Sequence, residues 1–200
     1  MSVNNLNKQS VTFGHMYRNL FNRIKDLLVK PAKAWEIIVS ERSSINYILM
    51  TFSLPLIGAY SLAIFLGYLF GHQEWDFSSA LKFAVFIFSA CFFGLYMSYF
   101  ILLKLIPIES MKSDKGLAFK MIAYSSLPIY LLGIVTALIP QTFFFFFLVI
   151  YAAYIIWEGL KVMRVNVDQR SWQTVVLSVL VLLMPYGLHK LLIYLSRFAL

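Results

Sequence analysis

The sequence predicts an all-α polytopic membrane protein, a bundle of five transmembrane helices preceded by an amphipathic helical elbow. Three observations carry that reading. Five long apolar stretches, 47–70, 81–106, 117–139, 143–160 and 175–195, fill most of the 200 residues. Each is at or near the roughly 20 residues that a helix rising about 1.5 Å per residue needs to cross about 30 Å of hydrocarbon. Composition agrees, with 60% hydrophobic residues, 13% charged residues and a mean hydropathy of +0.77, more apolar surface than a soluble domain of this length hides. Finally, runs such as FFFFFLVIYAAYII and VVLSVLVLLMPYG lack the alternation of barrel strands, so each span must satisfy its own backbone hydrogen bonds as a helix. The chain divides into an N-terminal segment, 1–44, and a transmembrane domain, 45–200.

The opening residues MSVNNLNKQSVTFGH are polar and lack the basic and apolar regions of a secretory signal, so the N-terminal segment is expected to be retained. Within it Phe13, Met16, Leu20, Ile24, Leu27, Leu28 and Val29 recur at near-helical spacing, while Arg18, Asn19, Arg23 and Lys25 supply a polar face. Pro31 cannot continue that helix but suits the first turn of another, which runs to about Glu41 with Trp35, Ile38 and Val39 on one apolar side. Two placements reward this pattern equally. The elbow can lie in the membrane interface, with Trp35 at headgroup level and Arg18, Arg23 and Lys25 toward anionic lipid, or dock against the ends of the bundle.

Small residues mark candidate helix contacts. The first span carries Ala59, Ala63, Gly67 and Gly71 at intervals of four, and the second carries Ala90, Gly94 and Ser98, ridges that let backbones approach closely. Gly133 and Ala137 continue the theme in the third span, and Pro140, Gln141 and Thr142 leave a tight turn before the fourth, predicting a helical hairpin. Pro55, Pro128 and Pro185 lie inside spans and should bend them, with Ser53, Ser125 and Ser126 near the freed backbone groups. The single cysteine, Cys91, excludes an internal disulfide and a multi-thiolate zinc site, and reads as a small buried apolar residue.

Charge predicts orientation. Of 17 Lys and Arg residues, Lys8, Arg18, Arg23, Lys25, Lys30, Lys33 and Arg42 precede the first span, Lys104, Lys112, Lys115 and Lys120 flank the second connection, and Lys161, Arg164 and Arg170 lie in the fourth. Only Lys82, Lys190 and Arg197 fall on the other side. The positive-inside rule then puts the N-terminus in the cytoplasm and, after five crossings, the C-terminus outside. The net charge of +8 is thereby a topology signal, and no nucleic-acid partner is needed to explain it. Lys82, His189 and Lys190 sit near the outer ends of spans, where snorkelling to the headgroups is the usual outcome, and Glu158 sits at the inner end of the fourth.

Motifs for catalysis are missing: the sequence has no HExxH, no phosphate-binding glycine loop and no GxSxG. No enzyme activity and no cofactor are expected. His72, Glu74 and Asp76 in the first connection, with His189 on the same predicted side, are metal-ligating types, but nothing in the sequence brings them together, and no metal is assigned.

The segments KPAKAWEIIVSE with Pro31 and Trp35, LPLIGAY with Pro55, LAFKMIAYSSLPIYLLGIVTALIP with Tyr124, Pro128 and Pro140, and IYAAYIIWEGLKV with Tyr151 and Gly159 together resemble the bacterial branch of the Yip1 domain family over about 29–195. The resemblance implies five transmembrane helices with a cytoplasmic N-terminus, in a bacterial cytoplasmic membrane. Eukaryotic members are associated with Rab-type GTPases; their acidic cytoplasmic motif is missing here, so that role does not carry over. The expected function is a non-enzymatic adaptor or membrane-organising component acting through membrane lipids, anionic ones included, or an unnamed protein partner. A transporter or channel lined by Tyr124, Ser125, Ser126 and His189 is the alternative, and a membrane enzyme ranks third. Scarcity of ionisable groups near mid-membrane favours the first.

Overall fold

A computed structural model describes residues 3–71, 76–106, 108–139 and 147–197, and among them every regular element is helical. The N-terminal segment forms α1 (Val3–Val29) and α2 (Pro31–Ser40), which meet at Lys30, with Pro31 opening α2 as expected of a residue with no N–H to donate. The break lies where the sequence predicts it.

The first span is continuous from Ile45 to Gly71 but is not a uniform helix. A short α3 (Ile45–Ile48), capped by the Ser44 side chain accepting from the Tyr47 N–H, passes into a π-turn at Leu49–Ser53 before α4 (Leu54–Gly71). Pro55 explains the insertion. Its ring would clash with the carbonyl four residues back, Thr51, and it offers that carbonyl no hydrogen; widening the preceding turn relieves both. α5 (Phe77–Leu105) starts four residues before the predicted boundary because Asp76 caps it. Hydrogen bonds from the Ser79 side chain and backbone N–H hold the Asp76 carboxyl below its usual range.

After the short α6 (Glu109–Ser113), Asp114 caps α7 (Lys115–Ser125), and the third span breaks at Ser126 before α8 (Leu127–Leu138). Pro128 cannot bond back to Tyr124, and Ser126 Oγ turns to the Ile122 carbonyl at 2.8 Å. α9 is described over Phe147–Val162, and α10 (Val167–Ser196) runs through Pro185 without interruption. Among the described residues four stretches are long and apolar enough to cross a membrane: Ile45–Gly71, Phe77–Leu105, Lys115–Leu138 and Asp168–Ser196. The predicted crossing 143–160 begins outside the described residues, as does the predicted turn at Pro140, Gln141 and Thr142.

Packing closes these helices into a ring: α10 against α5, α5 against α4, α4 against α8, α8 against α9, and α9 back onto α10. α7 fills the centre of one end, and residues 118–125 are buried without exception. The small-residue contacts sort cleanly. A Cβ on Gly67 would lie 2.0 Å from the Ala137 carbonyl oxygen, and one on Gly94 would lie 3.0–3.1 Å from Pro185. Ala63, Ala90 and Ser98 are buried, with Ser98 Oγ reaching the Leu180 carbonyl at 3.5 Å. Ala59, expected on the same ridge, is instead exposed, and Gly71 meets nothing within 4 Å. A spacing of four overshoots the helical turn by about 40° each time, so a four-member ridge rotates off a contact only two turns long.

Candidate functional site

α1 and α2 pack against the end of the bundle that α7 fills, and named bonds fasten them there. Trp35 is fully buried, and its Nε1 donates to the Ile155 carbonyl in α9 at 2.8 Å. The ring lies over Gly159, where a Cβ would come within 2.7 Å of it, and meets Tyr124 edge-on at 6.1 Å between centroids. Tyr151 Oη donates to the Leu28 carbonyl at 2.7 Å, at the close of α1. Lys120, 3% exposed, donates to the carbonyls of Ile38 at 2.7 Å and Glu41 at 2.5 Å. The Ile38 carbonyl belongs to the last turn of α2 and the Glu41 carbonyl to the extended residue that caps it, and a cation at a helix C-terminus meets unpaired carbonyls and the negative end of its dipole.

Beside this joint lies an open cavity of about 810 Å³ whose wall carries charged and polar side chains among apolar surface. Its walls come from α1 (Asn19, Asn22, Arg23, Asp26), the end of α2 and the link beyond it (Ile37, Glu41, Arg42, Ser43), the start of the first span (Tyr47, Thr51, Phe52) and Tyr124. Arg23 pairs with Glu41 across the cavity, and its guanidinium lies 5.8 Å from the centre of the Tyr124 ring. Tyr124 also packs on Phe52 at 4.5 Å, so one residue links the cavity wall to the core.

Most sequence-derived positions gather at this end. Pro31, Trp35, Tyr124, Tyr151 and Gly159 all belong to the joint, and Pro55 lies in the first turn of α4, just after the widened turn. Pro128 opens α8, and Pro140 lies outside the described residues. Of the predicted membrane-surface contacts, Arg18 and Lys25 are exposed, Arg23 is in its ion pair, and Trp35 is a core residue with no surface to offer. Sequence reading places Glu41 at the end of the elbow helix and in the family segment KPAKAWEIIVSE, and Lys120 among the basic residues flanking the second connection, without joining the two. The available signal was a lysine within the apolar run LAFKMIAY, where an unpaired charge is expensive.

The other ionisable residues do not join them. Lys82 lies over the Phe86 ring at 5.8 Å and Lys190 over Tyr186 at 5.6 Å, both on neighbours one turn away. Glu158 is 7% exposed, with Lys161 Nζ 3.7 Å from it. Ser125 and Ser126 turn their hydroxyls to Met121 and Ile122 of their own helix. His189 is half-buried on α10 with Nε2 unpartnered. Among the described residues no three His, Cys, Asp or Glu side chains converge on a metal-sized site, and His72 and Glu74 lie outside them.

A helical bundle with four helices, among the described residues, long and apolar enough to cross a membrane is that of an integral membrane protein. A family model described as the Yip1 domain matches residues 25–190, and the chain belongs to that family. No curated protein and no solved structure matches it.

Proposed function

We propose that this Yip1-family chain is a non-enzymatic adaptor or organising component of a bacterial cytoplasmic membrane. It crosses five times, with α1 and α2 on the cytoplasmic side and the C-terminus outside. The observation that carries the reading is the joint. Three polar side chains, on Trp35, Lys120 and Tyr151, spend their hydrogen bonds on backbone carbonyls between the N-terminal helices and the bundle, which makes a rigid platform with Arg18 and Lys25 outward. A rigid surface of fixed charge suits recognition of a protein or lipid surface, because little ordering entropy is lost on contact.

A transporter reading draws on one observation, Tyr124 in the cavity wall. It expects solute flux. Reconstituted full-length protein, its 1–30 deletion, Tyr124→Phe and His189→Ala would be assayed for ion and solute flux, beside photocrosslinking from positions 18 and 25 in native membranes. The adaptor reading expects specific crosslinks that the deletion abolishes and no flux above empty vesicles. Specific flux that survives the deletion but disappears with Tyr124→Phe or His189→Ala would overturn it.

A further inference from the structure

The cavity has chemistry that a platform does not use. Of its four charged wall residues Arg23 and Glu41 neutralise each other, leaving Asp26 on α1 and Arg42 beyond α2. These two face the same space from different elements, and neither has an ion-pair partner among the described residues. Ser43 Oγ, in the same wall, is buried without a hydrogen-bond partner. One open cation, one open anion and an unpaired hydroxyl around a common space describe a complement to a ligand that itself carries both charges.

We propose that this cavity binds the headgroup of a zwitterionic phospholipid of the phosphoethanolamine type, its phosphate on Arg42 and Ser43 and its ammonium on Asp26. The inference rests on the adaptor reading only in placing α1 and α2 at a membrane surface. The volume of about 810 Å³ lies in the range of sites for small molecules. Tyr47 and Thr51 belong to the first two turns of the first span, so the opening lies where that span enters the bilayer. Ile37 and Tyr47 in the wall are 48% and 58% exposed, and Met50 beside them 60%, giving acyl chains an apolar exit.

Charge decides the class of headgroup. A wall of two cations and two anions gains nothing from a net negative ligand, and sets Asp26 against it. An ammonium with N–H donors suits carboxylates, whereas a quaternary ammonium prefers an aromatic cage; here the Tyr124 ring is already taken by Arg23.

The test is native mass spectrometry of the full-length protein in detergent with equal amounts of phosphatidylethanolamine, phosphatidylcholine and phosphatidylglycerol of identical chains, with soluble glycerophosphoethanolamine as competitor. Wild type should retain the ethanolamine lipid about tenfold over the glycerol lipid, as one charge-assisted hydrogen bond would give. Arg42→Ala should lower retention of all three. Asp26→Asn should lower the ethanolamine lipid and raise the glycerol lipid, a reversal that a loss of folding cannot produce. Equal or better retention of the choline or glycerol lipid by wild type, an Asp26→Asn variant that shifts all three alike, or full displacement by the soluble headgroup at equal concentration would overturn the proposal. These rankings are independent of flux and of crosslinking at α1, so this inference and the adaptor reading fail separately.

Discussion

Gly159 has no room for a methyl group, because Trp35 Cε2 and Met121 Cε stand 2.7 and 2.9 Å from where its Cβ would be. Gly159→Ala should therefore displace the indole from the Ile155 carbonyl and destabilise the protein by about 1–3 kcal/mol, as overpacking of a filled core does. Gly58→Ala, with nothing within 4 Å, is the control and should be neutral or mildly stabilising. Thermal melts in detergent compare them; equal losses would mean that Trp35 is free to move. Lys120 allows a second expectation at this scale. Lys120→Met keeps the volume but strips two carbonyls of their donor, a loss of about 1.5–3 kcal/mol per charged hydrogen bond. Limited proteolysis should then cut at Lys33 or Arg42 faster than in wild type, and an unchanged cleavage rate would refute the anchoring role.

Among elements, the ring of helices depends on two close approaches. Gly67→Leu would push α4 from the Ala137 carbonyl of α8, and Gly94→Leu would push α5 from Pro185 of α10. Both should lower the melting temperature far more than Leu66→Ile, since only the first two force backbones apart; similar melts for all three would place these ridges against lipid. The elements themselves were legible in the sequence because a bilayer leaves a span no choice but a helix of sufficient length. What was not legible was which face meets what. Lipid and protein interior reward the same apolar stripe, so the pattern around Trp35 and Ile38 fitted an interfacial helix as well as the docked one observed. Pro55 likewise announced an irregularity without its kind, because a kink and a widened turn relieve the same clash.

For the whole molecule, the proposed orientation rests on the asymmetry of basic residues, fourteen of 17 in segments that five crossings would put on the side of α1 and α2. In a Cys91→Ser background, single cysteines at Ser78 and Leu200 should react with an impermeant thiol reagent added to intact cells, and one at Ser113 should not. Labelling at Ser113 would invert the proposed topology. The candidate site was half legible at this scale. Sequence marked Trp35, Tyr124, Tyr151 and Gly159 as separate family positions, but their convergence is a property of the closed ring, which brings residues over a hundred positions apart, such as Trp35 and Ile155, into one joint.

The widened turn at Leu49–Ser53 makes the first span two helices out of phase. On an uninterrupted wheel of about 100° per residue, its outward residues short of the terminal Gly71, namely Asn46, Tyr47, Met50, Ala59, Leu62 and Phe70, would spread over about two thirds of the circumference. The inserted residue sets the second half back by about 100°, which brings these positions of both halves onto one side. A chain lacking Met50 would close that turn as an ordinary α-turn, with Tyr47 in the same phase relative to everything after Pro55 but with the proline ring set against the carbonyl four residues before it. A one-residue deletion there would thus keep the exposed side of the crossing while restoring the clash that the widened turn relieves.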